Sequence, residues 1–111
     1  MDESKAIEAL SALAHETRLA AFRLLLKAAP GELAAGDIAA RLGIVQNTMS
    51  NHLAILVRTG LVCVRRDGRN MFYRAEPAAM RTLLAWLMDD CCQGNSEICA
   101  PLLDLVSCNP C

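Results

Sequence analysis

The stretch from residue 37 to residue 58, DIAARLGIVQNTMSNHLAILVR, constrains the fold of this 111-residue chain more than any other. Its first half places apolar residues at helical spacing and reaches Gly43, which can close a helix in a left-handed conformation. Its second half begins a new apolar series at Met49, Leu53 and Leu56, with steps of four and three residues. The stretch therefore predicts two short helices that are joined by a tight corner.

The exposed face of the second predicted helix is polar, and it carries no charge before Arg58. Amide and hydroxyl side chains on such a face can read the hydrogen-bonding edges of base pairs in a major groove. An ordinary solvated helix face is the alternative interpretation. For the histidine of this set, a structural hydrogen bond inside the helix pair is the alternative to a DNA contact. The candidate base-reading residues are Gln46, Asn47, Thr48, Ser50, Asn51 and His52.

Two short runs rich in Val, Phe and Tyr follow, at residues 61–66 and 70–74, and Asp67-Gly68 separates them. An Asp-Gly pair between such runs is a strong hairpin signal. Cys63 lies alone on the first run, where we expect a small, buried, apolar side chain. A solvated turn is the alternative to a DNA-contacting tip. The side chains that could contact phosphates or enter a minor groove at this tip are Arg65, Arg66 and Arg69.

Two helices are predicted before this unit and one after it. The last should run from Pro77 to about Cys91. The order helix, helix, helix-turn-helix, basic hairpin, helix predicts a mainly α-helical fold with a small β-hairpin, which is a winged helix-turn-helix. The second helix, at about residues 17–28, should face the core with Leu19, Phe22, Leu25 and Leu26.

The first and last predicted helices carry more apolar surface than a domain of this length readily covers. We expect them to pack against a second copy of the chain, so that two reading helices face DNA half-sites about one helical turn apart. A monomer with both stripes packed internally is the alternative. The stripe of the first helix consists of Ile7, Leu10, Leu13 and Ala14.

The net charge of −1 conceals an uneven distribution. Residues 37–74 hold six arginines against two aspartates, a net charge of +4, whereas the remaining residues carry −5. A positive middle with acidic flanks is expected for a phosphate-facing surface. Residues 1–92 should form the DNA-binding and dimerisation domain, and residues 93–111 a cysteine-containing tail.

The apolar runs are too short to cross a bilayer, and the acidic N-terminus MDESKAIEAL is unlike a secretion signal. We therefore expect a cytoplasmic protein with no membrane partner. In that compartment, the six cysteines are expected to be metal ligands or redox thiols more often than structural disulfides.

Five of the six cysteines lie beyond residue 90. Cys91 and Cys92 point about 100° apart on a helix, but they can turn together at a helix end that Gly94 loosens. Cys99 can fold back as a third ligand. Three thiolates form a soft, sulfur-only set that suits As(III) or Sb(III), since the lone pair of the ion occupies the fourth direction.

Other chemistries remain open for these cysteines. Zinc, cadmium or lead could recruit Cys108 as a fourth thiolate, and a thiol redox switch needs no metal. Cys108 and Cys111 form a terminal C-x-x-C, which is a candidate for auxiliary ligands. A thiol enzyme would need an activated thiolate, but the cysteines follow a helix C-terminus near Asp89 and Asp90, where a thiolate is disfavoured. We expect neither an enzyme nor a catalytic cofactor.

Over roughly residues 12–77 the chain resembles the ArsR/SmtB family of metal-responsive repressors. The resemblance is carried by ALAHETRLAAFRLLL, by the segment QNTMSNHL with the turn Gly60-Leu61-Val62, and by the wing strand GRNMFYR. It implies a dimeric winged-helix repressor that leaves its operator when a metal or metalloid binds. The six polar residues of the reading helix and the three wing arginines match the DNA-contacting positions of the family. Some arsenic sensors of this family have a Cys-Cys pair plus a third cysteine, as here.

The chain also departs from the family pattern. Val45 stands where many members have Ser, so a side-chain N-cap worth about 1 kcal/mol is missing. His15-Glu16 replaces the usual Asp-Pro before the second helix. The segment GELAAGDI lacks the cysteines of the ELCVCDL arsenic site, and the histidines of the zinc sites are absent. The expected inducer is therefore As(III) or Sb(III), bound by Cys91, Cys92 and Cys99.

Overall fold

The computed structural model describes residues 1–92, and for residues 90–92 it describes the backbone alone. Within this range the chain forms the predicted winged helix-turn-helix with five helices, and its sheet has three strands where the sequence predicts a two-stranded hairpin. The elements are α1 (Glu3–Leu13), α2 (Glu16–Ala28), β1 (Leu33–Ala34), α3 (Ala35–Leu42), α4 (Gln46–Arg58), β2 (Val62–Asp67), β3 (Asn70–Ala75) and α5 (Pro77–Cys92).

The helix boundaries follow from local chemistry. The side chain of His15 caps α2, since its Nδ1 accepts a hydrogen bond from the backbone N–H of Thr17 at 3.1 Å. Gly43 ends α3 with φ +68°, the left-handed conformation that favours glycine. Val45 precedes α4 without a side-chain cap, as predicted.

The wing is a three-stranded antiparallel sheet in the order β1-β3-β2. β2 and β3 pair from Val62↔Ala75 to Asp67↔Asn70, so the two-residue turn consists of Gly68 and Arg69. The turn therefore lies one residue later than the predicted Asp67-Gly68. β1 pairs with β3 through Leu33↔Tyr73 and Ala34↔Phe72, in a segment where no strand is predicted from the sequence. Two residues are too few for a strand pattern to appear in the sequence.

The core lies between α2, α3, α4 and the sheet. Phe22 and Leu25 of α2 are buried as predicted, but Leu19 is 44% exposed, so its predicted inward position is wrong. The buried residues of α2 are Ala21, Phe22 and Leu25, and Leu19 lies outside the face of the helix that they form.

The two terminal helices leave apolar surface uncovered. α1 packs on the core through Ala6, Ala9 and Ala12, while Ile7 and Leu10 are 59% and 41% exposed. On α5, Leu83 alone among the described apolar residues larger than alanine is buried. The remaining large apolar side chains of α5 with described burial are partly exposed: Met80, Leu84, Trp86, Leu87 and Met88. None of the described helices is long and apolar enough to span a membrane.

Candidate nucleic-acid interface

The predicted base-reading residues lie on one helix, α4, whose opposite face anchors it in the core. Met49, Leu53 and Leu56 of α4 are completely buried. With this face fixed, the polar face points outward, because side chains three and four residues apart share one side of a helix. Gln46, Asn47, Thr48 and Asn51 are exposed, while Ser50 and His52 are partly buried.

His52 has partners inside the chain. Its Nδ1 lies 3.3 Å from Nη1 of Arg18, and its ring lies 4.6 Å from the ring of His15. Burial lowers the pKa of His52 below its ordinary value, and the charges of His15 and Arg18 lower it further. This position fits the structural alternative for His52, whereas a DNA contact by His52 stays a prediction.

The three wing arginines lie in different surroundings. Arg66 on β2 and Arg69 in the turn are exposed, and within residues 1–92 neither forms an ion pair. Arg65 instead donates to both carboxylate oxygens of Glu32, with Nη2–Oε1 at 2.9 Å and Nε–Oε2 at 3.2 Å. Its Cζ also lies 4.8 Å from the ring centroid of Phe72 on β3. Arg65 therefore braces the wing against the segment before β1.

Glu32 is a site residue that sequence reasoning missed. Its hydrogen bond from Arg65 lowers the pKa of the Glu32 carboxyl, and the same contact raises the pKa of Arg65. The two residues are 33 positions apart in the chain. They meet only because β1 joins the sheet, and no local pattern in the sequence indicates that pairing.

Cys63 is exposed, so the predicted buried position is wrong. Val62 is the only buried residue of β2, and the rest of the strand, including Cys63, extends beyond the core. The Cys63 thiol donates to Oε1 of Glu76 at 3.1 Å, and Arg74 pairs with the same oxygen at 2.6 Å. The contact with Glu76 is the main cause of the raised pKa of Cys63, and burial adds to it.

The predicted metalloid ligands lie at the edge of the described chain. Cys91 and Cys92 belong to the last turn of α5, and their side chains are not described. Cys99, Cys108 and Cys111 lie outside the described residues. Among residues 1–92, no described group of three or more His, Cys, Asp or Glu side chains could hold a metal ion. The sulfur site therefore stays a prediction.

Comparison with known proteins places the chain among DNA-binding regulators. A family described as a helix-turn-helix domain matches residues 13–65. The transcriptional activator HlyU of Vibrio cholerae is 34% identical over 94 residues, which cover 85% of this chain and 84% of HlyU. A biofilm growth-associated repressor of Agrobacterium fabrum is 40% identical over 77 residues, covering 68% of this chain and 63% of the repressor.

A solved structure identifies the family of helix-turn-helix regulators more specifically. The homodimeric winged helix-turn-helix domain of a possible ArsR-family transcriptional regulator from Mycobacterium bovis is 31% identical, with a TM-score of 0.63. It matches 78% of this chain and 80% of that chain. The chain belongs to the ArsR/SmtB-like family of winged helix-turn-helix regulators.

Two further solved structures are similar to this chain, and the description of each mentions a chemical state or a resistance. Reduced HlyU has a TM-score of 0.60 at 34% identity, and the match covers 74% of this chain and 84% of HlyU. A possible transcriptional regulator for arsenical resistance has a TM-score of 0.64 at 32% identity, and covers 77% and 84% of the two chains. The relatives named here are described as regulators of transcription and not as enzymes.

Proposed function

We propose that this chain is a homodimeric transcriptional repressor that leaves its operator when As(III) or Sb(III) binds Cys91, Cys92 and Cys99. The observation that carries the DNA-binding part is the exposed polar face of α4, together with the exposed wing arginines Arg66 and Arg69, which form no ion pair within residues 1–92. The cysteine composition of the chain carries the metalloid part, and the arsenical-resistance relative supports it.

In the proposed DNA complex, α4 contacts the bases and the wing contacts the phosphates. Gln46, Asn47 and Thr48 form the first turn of α4, the end that enters the major groove in helix-turn-helix proteins. The uncharged side chains there can distinguish bases, while Arg66 and Arg69 supply charge for the phosphates. The related structure from Mycobacterium bovis is homodimeric, and a homodimer of this chain would present two such surfaces to the DNA together.

The metalloid site is proposed from ligand chemistry. Thiolates without histidine or carboxylate select soft ions, and a pyramid of three sulfurs leaves room for the lone pair of As(III). Cys91 and Cys92 end α5, a helix whose large apolar side chains other than Leu83 are only partly buried in a single chain. If α5 lies in the dimer interface, a sulfur cage that distorts its end changes the spacing of the two reading helices. A coupling of about 1–3 kcal/mol per site weakens repression usefully.

The proposal is tested on a duplex that the wild-type protein selects from random-sequence DNA, which we call the selected duplex. The bound complex is titrated separately with arsenite, antimonite, zinc, cadmium and peroxide while fluorescence anisotropy reports release. We expect release by arsenite and antimonite at about one ion per site. Cys91→Ser, Cys92→Ser and Cys99→Ser should bind DNA normally and stay bound when arsenite is added.

Cys63→Ser is the matched control, because Cys63 lies on the wing, is exposed and takes no part in the proposed cage. It should release like the wild type. Release of all three tail variants by arsenite would overturn the metalloid site. Failure of the wild type to select any duplex would overturn DNA binding itself.

A redox switch through the same cysteines is the second candidate, because a solved relative is described as the reduced form of HlyU. In that reaction two thiols reduce one peroxide to two waters and form a disulfide. Release by peroxide in metal-free buffer, with none by arsenite, would establish this candidate and exclude the first. Release by zinc or cadmium alone would identify a divalent soft-metal sensor.

A further inference from the structure

The guanidinium of Arg18 connects three helices. Its Nε donates to the carbonyl of Ala12 at 2.5 Å, and its Nη2 donates to the carbonyl of Ser11 at 3.4 Å. Both carbonyls belong to the last turn of α1, which contains no basic residue of its own. The Ser11 carbonyl also accepts from the backbone N–H of Ala14 at 3.2 Å, so Arg18 adds a second donor there. A cation at this end of a helix also opposes the negative end of the helix dipole.

The third branch of Arg18 reaches the reading helix. Its Nη1 lies 3.3 Å from Nδ1 of His52 on α4. His15, which caps the start of α2, packs its ring against His52 at a tilt of 42°. Arginine presents its donors in a rigid planar fork and stays charged at all ordinary pH values. One side chain therefore holds the end of α1, the start of α2 and the middle of α4 in a fixed arrangement.

The apolar packing of α1 leaves its orientation poorly determined. The buried residues of its core-facing side are all alanines, Ala6, Ala9 and Ala12, and only Leu13 in the last turn adds a larger side chain that packs against the core. Dispersion contacts of methyl groups have no preferred direction, whereas hydrogen bonds from a fixed fork do. The Arg18 contacts are the directional links from α1 to α4 among the side-chain hydrogen bonds of the described residues.

We infer that Arg18 is a positioning residue that sets the angle of the reading helix α4 relative to the dimer-forming helix α1. In a homodimer this angle decides the separation and rotation of the two reading helices. Arg18 therefore determines which half-site spacing the protein accepts. The inference rests on the proposed DNA binding and dimerisation through α1, and it does not depend on the metalloid.

The test compares the selected duplex with versions in which one or two base pairs are added between the half-sites. Each added pair rotates one half-site by roughly 35°, given about 10–10.5 base pairs per turn. The wild type should prefer its own spacing strongly. Arg18→Lys keeps the charge and loses the fork, and His52→Ala removes the acceptor on α4. Both should reduce the spacing preference at least several-fold, with an unchanged dependence of affinity on salt.

Arg23→Ala is the matched control, because Arg23 is an exposed arginine of the same helix. It should keep the wild-type spacing preference. Circular dichroism and sedimentation confirm that each variant is folded and dimeric. Arg18→Ala, which removes the whole guanidinium, is a further variant. If it does not fold, Arg18→Lys and His52→Ala carry the test.

Two results would overturn the inference. One is an unchanged spacing preference in both Arg18→Lys and His52→Ala. The other is a uniform loss of affinity at all spacings in Arg18→Ala, with the salt slope reduced by about 0.9, which identifies a direct phosphate contact. A wild-type protein that selects DNA without paired half-sites would contradict the proposed dimeric binding as well. If the wild type selects paired half-sites normally but the variants keep its spacing preference, only the proposed role of Arg18 is contradicted, and the proposed DNA binding is not.

Discussion

At the scale of single residues, two side chains of the candidate interface already have partners within the chain. His52 contacts Arg18, and Arg65 forms a two-point ion pair with Glu32. These contacts occupy Nδ1 of His52 and both Nε and Nη2 of Arg65, so neither side chain offers all of its polar atoms to DNA. Asn47 and Arg66 are exposed and have no ion pair or side-chain hydrogen bond recorded among residues 1–92, so they are the better candidates for direct contacts.

The pH dependence of stability reports on His52. Because the pKa of His52 is lower in the folded chain than in the unfolded chain, the unfolded chain binds more protons between the two values. The free energy of unfolding should therefore fall as the pH drops below about 6.5. Urea denaturation at pH 7.5 and 5.5 measures this loss, which should be smaller in His52→Asn.

The cause of the shift can be tested separately by NMR titration of the imidazoles. His15→Asn keeps a capping side chain for α2 but removes a neighbouring charge, so it should raise the pKa of His52. A wild-type His52 pKa at or above the ordinary value would contradict the arrangement around Arg18.

Val45 offers a residue-scale gain in stability. It precedes α4 with an extended backbone, is 71% exposed and provides no side-chain cap. Val45→Ser should raise the free energy of unfolding by about 1 kcal/mol, because the hydroxyl can accept from a free N–H of the first turn. Chemical denaturation measures the change. Val45→Ala removes the valine without adding a cap. If Val45→Ser and Val45→Ala were equally stable, the predicted gain from the serine cap would be refuted.

At the scale of elements, the wing is held by the segment that precedes it. β1 contributes two residues to the sheet, and Glu32 just before it holds Arg65. The reading helix and the wing are therefore oriented by different contacts. Arg18 and the buried face of α4 position the helix, whereas β1 and the Glu32–Arg65 pair position the wing.

The wing arginines should separate into two kinds by their effect on salt dependence. Arg66→Ala and Arg69→Ala should each weaken binding to the selected duplex and lower the salt slope by about 0.9, as expected for lost phosphate contacts. Arg65→Ala should weaken binding with little change in slope. Anisotropy titrations between about 50 and 200 mM salt measure both the affinity and the salt slope.

Glu32→Gln provides the decisive control for the wing. It removes a negative charge near the DNA, so simple electrostatics predicts tighter binding. We expect binding a few-fold weaker instead, because the amide leaves Arg65 one uncharged acceptor in place of the two-oxygen carboxylate that braces the wing. Tighter binding by Glu32→Gln would show that the brace does not position the wing.

At the scale of the whole molecule, the uncovered apolar surface matches the assembly of the family. Ile7 and Leu10 lie exposed on α1, and the large apolar side chains of α5 other than Leu83 are only partly covered. A structure of the family with 31% identity is a homodimer. A second copy that covers α1 and α5 would bury this surface and bring two reading helices together.

Ile7→Glu tests this assembly. Its side chain is exposed in the single chain, so the subunit should fold normally, but a dimer through α1 would bury an unpaired carboxylate. The dissociation constant of the dimer should rise more than about tenfold on sedimentation analysis, and affinity for the selected duplex should fall with it. Val64→Glu, at an exposed position on β2, should remain dimeric. An unchanged dimer in Ile7→Glu would place the interface elsewhere.

The sequence by itself determined the helices, the left-handed end at Gly43, the missing cap at Val45 and the hairpin. Each depends on residues within a few positions of one another, so periodicity and turn chemistry are sufficient. The proposed sulfur site was also inferred from composition, and its test lies with the tail cysteines.

Only the tertiary structure determined which side chains contact each other across long sequence separations. Glu32 meets Arg65 across 33 residues, and Arg18 meets His52 across 34, through contacts that no local pattern encodes. The outward position of Leu19 and the exposure of Cys63 likewise depend on which faces the neighbouring elements cover. Local propensity selects the elements of a chain, but only their packing decides which side chains become buried, paired or free to bind.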